Sequence, residues 1–305
     1  MTDELTALID DIAATHTEPE PGELPACWPT LVELGLPLVG VDESRGGSGG
    51  SFADLVVLTR ALGRHAVSTP LVETAVVSWV VAHAGPVGPA VRTIALDTRG
   101  GTPWGRHASE VLTYAGGAAT VGKPEVVRER LNIAGEPADL VDPGTGTPVA
   151  SAPSQEQVRT RLAVLRAAAV TGAVAGAYEL TRTYVSTRVQ FGQPLIRIPA
   201  VAANLAKIKT SLVQCEAALA RTSEDDFAAA AVARVIASRA ATETARIAHQ
   251  LHGAMGITAE YPLHRYTKRL WAWRDADVPA HEWAQLLGEQ VVARGEEAMW
   301  TDLTA

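Results

Sequence analysis

Apolar residues recur at helical spacing through the first 85 positions and again after 154, while the stretch between keeps neither that rhythm nor its residue types. In "ELTALIDDIAA" the set Leu5, Leu8, Ile9 and Ile12 falls at the spacing of one helix face. "WPTLVELG" predicts a short helix stopped by Gly35, and "SRGGSGGS" a flexible glycine-rich turn. Ser51 is placed to cap a helix over "FADLVVLTRALG" that Gly63 stops. "STPLVETAVVSWVVAHAG" repeats this grammar, with Ser68 as cap, Pro70 in the first turn and Gly85 at the end.

Over residues 86–153 Gly and Pro interrupt every few positions, and "VRTIALD", "EVLTYA" and "AATVG" read as short strands. Helices return at 154 and are longer. The first, over about 155–188, is alanine-rich and carries Gly172 and Gly176 one turn apart, which lets another helix come close. "PAVAANLAKIKTSLVQCEAALAR" aligns Val201, Leu205, Ile208, Leu212 and Cys215 on one stripe. A third helix ends near Gly253, and a fourth is expected over about 279–300. Four long helices with short connections make a bundle. The expected fold is thus mostly α: a helical unit over 1–85, a small β unit over 86–153 and a bundle over 154–305.

Composition narrows the function classes. With 47% hydrophobic and 20% charged residues the chain is ordinary for a folded protein. A formal charge of −8 disfavours nucleic acid, whose phosphates need clustered Lys and Arg. No apolar run is long enough for a membrane span; the most apolar stretch, near 167–180, is interrupted by Thr171 and Glu179 and flanked by Arg166 and Arg182. The acidic amphipathic start is unlike a signal peptide. Cys27 and Cys215 have neither CxxC nor histidine spacing and are expected as buried, reduced thiols. Together these features predict a cytoplasmic enzyme or enzyme subunit.

Two stretches carry candidate chemistry. "RVQFGQPL" places Arg188, Gln190, Phe191 and Gly192 at the end of the long helix, where a guanidinium can fork onto a phosphate and bare backbone can approach a ligand. "QLHGAMGITAEYPLHRY" offers Gln250 and a strip with Gly253 and Gly256. Taken alone, each is equally what an ordinary helix terminus carries. His249, His252 and His264 lack a metal-binding pattern, and Trp271 and Trp273 beside Arg274 read as a core or interface patch. GxGxxG after a strand, the P-loop and the GxSxG elbow are all missing.

In order along the chain, "LVELGLPLVGVDESRGGSGGSFADLVVLTRALGRHAVSTPL", "RVQFGQPL" and "QLHGAMGITAEYPLHRYTKRL" resemble the acyl-CoA dehydrogenase family. The resemblance implies an N-terminal helical domain, a middle β domain and a C-terminal four-helix bundle. It also implies FAD-dependent oxidation of an acyl-CoA thioester to the 2-enoyl-CoA, with a carboxylate taking the proton. In that family the arginine and glycine motifs serve FAD held mainly by a neighbouring subunit. Arg188 and Gln190 would therefore meet its pyrophosphate with Phe191 packing beside them, and Gln250, Gly253 and Ala254 would line its adenosine end.

The middle unit is shorter than the family's, and nothing between Pro86 and Pro153 resembles the Thr-Glu-Pro-like segment that cradles the flavin ring. The base is also hard to place. Counting from Glu260 lands near Asp277, one methylene shorter than the expected Glu and read as a surface residue; at the other family position "VRTRLAVL" has no carboxylate. The closest pattern is a truncated subunit of the actinobacterial heterotetrameric (α2β2) acyl-CoA dehydrogenases, some of which act on steroid side-chain CoA thioesters. Such a chain would complete the FAD site of a longer partner that supplies the base. A self-sufficient homo-oligomer and a flavin-free structural or regulatory homologue are the alternatives.

Overall fold

The computed structural model of the chain describes residues 2–96 and 101–304. Helix α1 (Thr2–Ala14) lays the fully buried Ile9 against the core, and α2 (Trp28–Glu33) ends at Gly35, whose φ of +70° suits the missing Cβ. The segment over 43–50 is not a loose turn. A Cβ at Gly46 would overlap the Val87 carbonyl and one at Gly47 the Val41 carbonyl, so its glycines are packing requirements.

Helix α3 (Phe52–Arg64) begins with a capping box: Asp54 N–H donates to Ser51 Oγ at 3.2 Å, and Ser51 N–H to the Asp54 carboxylate at 2.9 Å. It runs through Gly63 rather than stopping there. At α4 (Leu71–Ala82) Ser68 is buried and is not the cap; Leu71 N–H donates instead to Thr69 Oγ1 at 3.3 Å.

Two small sheets follow. Strands β1 (Arg92–Ile94), β3 (Glu110–Ala115), β4 (Ala118–Gly122) and β7 (Thr147–Pro148) form one in that order, with β1 parallel to β3 and the remaining pairs antiparallel. The β3–β4 hairpin turns at Gly116 and Gly117, both at positive φ as a tight two-residue turn demands. The second sheet has the order β2 (Thr102–Pro103), β6 (Ala138–Asp142), β5 (Glu125–Arg128). These three strands are short, interrupted and only partly buried, so they left little alternation to read.

The bundle is organised by α5 (Gln155–Thr187), capped by Ser154 and Gln157. It is long and apolar enough to cross a membrane, but 83% of its apolar window is buried inside the protein, so it is the core helix. It packs on α3, α6 (Pro199–Ala220), α7 (Phe227–His252) and α8 (Leu263–Arg274). The contact with α3 is backbone to backbone. A Cβ at Gly172 or Gly176 would overlap the carbonyls of Arg60 or Arg64, and one at Gly63 that of Ala169. The bundle's fourth partner differs from the sequence expectation. Helix α8, read from the sequence as ligand loop and aromatic patch, packs against both α5 and α7. The expected 279–300 helix is α9 (Ala280–Arg294) and α10 (Glu296–Thr304), broken at Gly295 with φ +87°. Both cysteines are buried free thiols, and burial pushes Cys215 up to about 12.

Candidate functional site

Helix α5 ends where Arg188 leaves helical geometry (φ −71°, ψ 118°) while its N–H still donates to the Tyr184 carbonyl at 2.9 Å. The chain then makes a two-residue hairpin, β8 (Val189–Gln190) against β9 (Gln193–Pro194), closed by Leu195 N–H donating to the Arg188 carbonyl. Phe191 and Gly192 form its turn at φ +53° and +75°. Glycine accepts that region freely; phenylalanine does so at a cost. The ring gains no burial in return, since Phe191 is 87% exposed. A Cβ at Gly192 would meet nothing within 4 Å, and Arg188 is exposed with no ion-pair partner among the described residues.

The second motif reaches the same end of the bundle. Gly253 ends α7 at φ +59° and starts a single 3-10 turn, Gly253–Ile257, with open space where its Cβ would be. Gln250, Gly253 and Ala254 are exposed, as are Met255 and Ile257. Gly256 has a different job: it is buried, and a Cβ there would press on His252 and Leu263.

Tyr184 joins the two motifs by stacking on His252, with ring centroids 4.3 Å apart. Beneath them Val185, Ile208, Ile247, Leu251 and Leu263 form a separate apolar cluster that fixes the ends of α5 and α7. The histidines each have a local use. His252 Nδ1 lies 2.8 Å from the Ala248 carbonyl, and burial lowers its pKa; His249 Nε2 lies 3.0 Å from Thr267 Oγ1; His264 Nδ1 lies 2.9 Å from the Tyr261 carbonyl. Among the described residues no group of three metal-ligating side chains occurs.

Asp277 lies elsewhere, and it is not a free surface carboxylate. It accepts from Arg166 Nε at 2.8 Å, and Arg166 Nη2 also donates to Glu73, which is 1% exposed. Burial works against the Arg166 charge, and the carboxylates of Asp277 and Glu73 more than reverse it. Glu73 is raised, by burial first and then by the negative Asp277, although Arg166 pulls the other way. The loop carrying Asp277 is fixed by buried Arg234 of α7, which donates to the carbonyls of Trp273, Arg274 and Ala276, each at 2.9 Å. Burial pushes that guanidinium down to about 10. Glu73, Arg166 and Arg234 were not among the site residues expected from the sequence. Their signal was available: each is a lone charge in an apolar run, and a buried charge must find a partner.

This group borders a cavity of about 500 Å³ between the segment before α4, the second sheet, α5 and the end of α8. The two candidate regions are therefore distinct: an open surface at the bundle end, and a cleft whose Arg166 is already committed to two carboxylates.

Residues 1–87 match the family model for the acyl-CoA dehydrogenase N-terminal domain, and residues 156–274 that for its C-terminal domain. The chain belongs to the acyl-CoA dehydrogenase family. Among curated relatives it is similar to acyl-CoA dehydrogenase IpdE2 of Mycobacterium tuberculosis, at 28% identity over 295 residues, covering 90% of this chain and 86% of that protein. Among solved structures it resembles a variant of the Tcur3481–Tcur3483 steroid ACAD, with TM-score 0.85 and 22% identity over 97% of this chain and 98% of that one. The ChsE4–ChsE5 complex from Mycobacterium tuberculosis gives TM-score 0.81 and 21% identity over 95% and 97%. At such identities these superpositions establish the fold.

Proposed function

We propose that this chain is one subunit of a heteromeric, FAD-dependent acyl-CoA dehydrogenase and that it completes, in trans, the FAD site of a longer family member. The observation that carries this reading is the bundle end. There a strained hairpin and an open glycine turn are held side by side by Tyr184 and His252, with Arg188, Gln190 and Gln250 exposed. Such a surface fits a ligand presented from outside the chain. Arg188 and Gln190 would hold the pyrophosphate, Phe191 would pack beside it, and Gln250, Gly253 and Ala254 would meet the adenosine end. A guanidinium fork, with open space at the Cβ positions of Gly192 and Gly253 for close approach, suits a diphosphate. When bound, FAD supplies the acceptor for the hydride leaving the acyl chain.

The chain's own cleft does not fit that cofactor. Its buried guanidinium is neutralised by two carboxylates, so among the described residues that line it no free cation remains for a diphosphate. Asp277, fixed on Arg166, is not poised to remove a substrate proton; the base is assigned to the partner. The likeness to the Tcur3481–Tcur3483 steroid ACAD and to the ChsE4–ChsE5 complex supports a two-subunit assembly of the α2β2 kind. The former likewise supports a steroid side-chain CoA thioester as substrate.

Purifying the chain alone and with a longer co-expressed homologue, then measuring flavin absorbance per subunit, tests the reading. The expected result is a colourless isolated chain and a yellow complex that oxidises acyl-CoA. Stoichiometric FAD in the isolated chain would overturn it.

A further inference from the structure

The cleft that does not suit flavin is still a built cavity. Its volume, about 500 Å³, is several times that of a fused two-ring molecule. Its apolar walls include the buried Trp104, Trp273, Leu62 and Val72 and the half-buried Trp271. Besides the hydroxyls of Thr59, Ser68 and Thr69 and the Asn132 amide, the lining carries more carboxylates than guanidiniums. Glu73, Glu136, Asp275 and Asp277 face two guanidiniums, Arg166 and Arg274, and Arg269 braces Glu136 from behind at 3.4 Å. Arg166 and Arg274 are already paired, so an anion entering here would meet acidic oxygens and, among the described residues of the lining, no free cation. Two buried carboxyl oxygens on this lining lack a hydrogen bond among the described residues: Glu136 Oε1, which has only the ion-pair contact from Arg269, and one oxygen of Glu73. Glu73, almost wholly buried, spends one oxygen on Arg166, and its Oε2 has no hydrogen-bond partner among the described residues. A buried carboxyl oxygen without a partner is costly, and a hydroxyl brought into the cavity would relieve it.

We infer that this internal cleft is a ligand site of the chain itself, taking a neutral, ring-sized apolar molecule that carries a hydroxyl for Glu73. The site is separate from the bundle-end surface and does not depend on any partner. Tryptophan faces supply the contact area, the hydroxyl supplies orientation through Glu73, and the surplus of carboxylates rejects acids of the same shape.

Calorimetric titration of the intact chain at neutral pH with three probes tests this. 2-Naphthol is neutral and hydroxylated, naphthalene has the same rings without the hydroxyl, and 2-naphthoate carries a negative charge. The expected order is 2-naphthol tightest, naphthalene weaker by about fivefold for the lost hydrogen bond, and 2-naphthoate weaker by at least about tenfold for the like-charge contact. Filling the cleft with Thr69→Trp should abolish 2-naphthol binding while circular dichroism shows the native helix content. Ala276→Trp does the same from another element should that variant fold poorly. Naphthoate or naphthalene binding as tightly as 2-naphthol, absence of 2-naphthol binding, or its persistence in a folded cleft-filled variant would overturn the inference. None of these readouts involves flavin or a second subunit, so failure here leaves the in-trans reading standing.

Discussion

Tyr184 stacks on His252 at 4.3 Å with an interplanar angle of 23°, and its hydroxyl donates to the His252 carbonyl at 3.3 Å. One residue lies a turn before Arg188 and the other directly before Gly253. The stack therefore sets how far apart the two candidate cofactor motifs sit, although they are distant in sequence. Tyr261 closes the group, tilted against His252 at 5.0 Å and edge-on to Tyr184 at 5.6 Å.

Breaking that stack should separate the motifs. Tyr184→Ala is expected to lower stability by about 2–3 kcal/mol through lost burial and ring contact, and to weaken flavin retention in the complex. Tyr184→Phe keeps the ring and should lose far less of both. Thermal melts and flavin content of the two variants check this; equal flavin loss in both would mean the hydroxyl, not the stack, sets the spacing.

The helical layers were legible because their periodicity is strong and their caps are local: Ser51 and Ser154 can be read from the residues three positions on. Gly172 and Gly176 announced a close helix contact, yet only the fold shows that α3 makes it. Helix α8 was obscured because Thr267 and Arg269 sit among its buried residues, and a ligand-like motif directly precedes it. For the candidate site, the motif residues could be read from the sequence but not their convergence, which depends on the Tyr184–His252 stack. The lone charges Glu73 and Arg166 stand out in their apolar runs, but they and Asp277 lie far apart in the chain, so no local pattern could show that they pair.

Gly172→Ala and Gly176→Ala test the α3–α5 contact. Each new methyl meets a backbone carbonyl that cannot rotate away, so each should cost at least about 2 kcal/mol. At an ordinary exposed helix position the same change would stabilise by up to about 1 kcal/mol. Chemical denaturation distinguishes the two by sign.

Asp277→Asn should behave as a structural change. It leaves Arg166 with one buried acidic partner, and allowing for the partial exposure of Asp277 the loss is about 1–2 kcal/mol. Turnover of the assembled complex should fall by less than about tenfold, because losing a true general base costs about 10²–10⁴-fold. A larger loss with assembly intact would identify Asp277 as the base.

Asp139 predicts the acid limit of the second sheet. Its carboxylate is 0% exposed; burial pushes its pKa up, but hydrogen bonds from the Arg106 side chain and from the Arg130 and Arg106 backbone N–H groups bring it below the ordinary value. With the folded pKa depressed, its contribution is complete above the unfolded value of about 3.9 and disappears as pH falls through the folded one. Asp139→Asn should therefore destabilise at pH 7 by about 3 kcal/mol or more, with the gap from wild type narrowing below about pH 4. Melting curves across that range check the sign.

Arg188 decides whether the bundle end works on a ligand from outside. Its side chain is exposed and has no ion-pair partner among the described residues, so Arg188→Ala removes nothing the isolated chain uses, and its melting temperature should be unchanged. If the guanidinium forks onto a diphosphate held by a partner, the loss appears only in the complex. A hydrogen bond to a charged group contributes roughly 1.5–3 kcal/mol, so flavin retention should weaken by about ten- to a hundredfold while the partner stays bound. Arg188→Lys keeps the charge but not the planar pair of donors, and it should recover only part of the loss. Dialysis of the three complexes followed by flavin absorbance per subunit gives the order. Unchanged flavin in the alanine variant, or an isolated chain that melts early, would make Arg188 an ordinary helix terminus and remove the main support for the in-trans site.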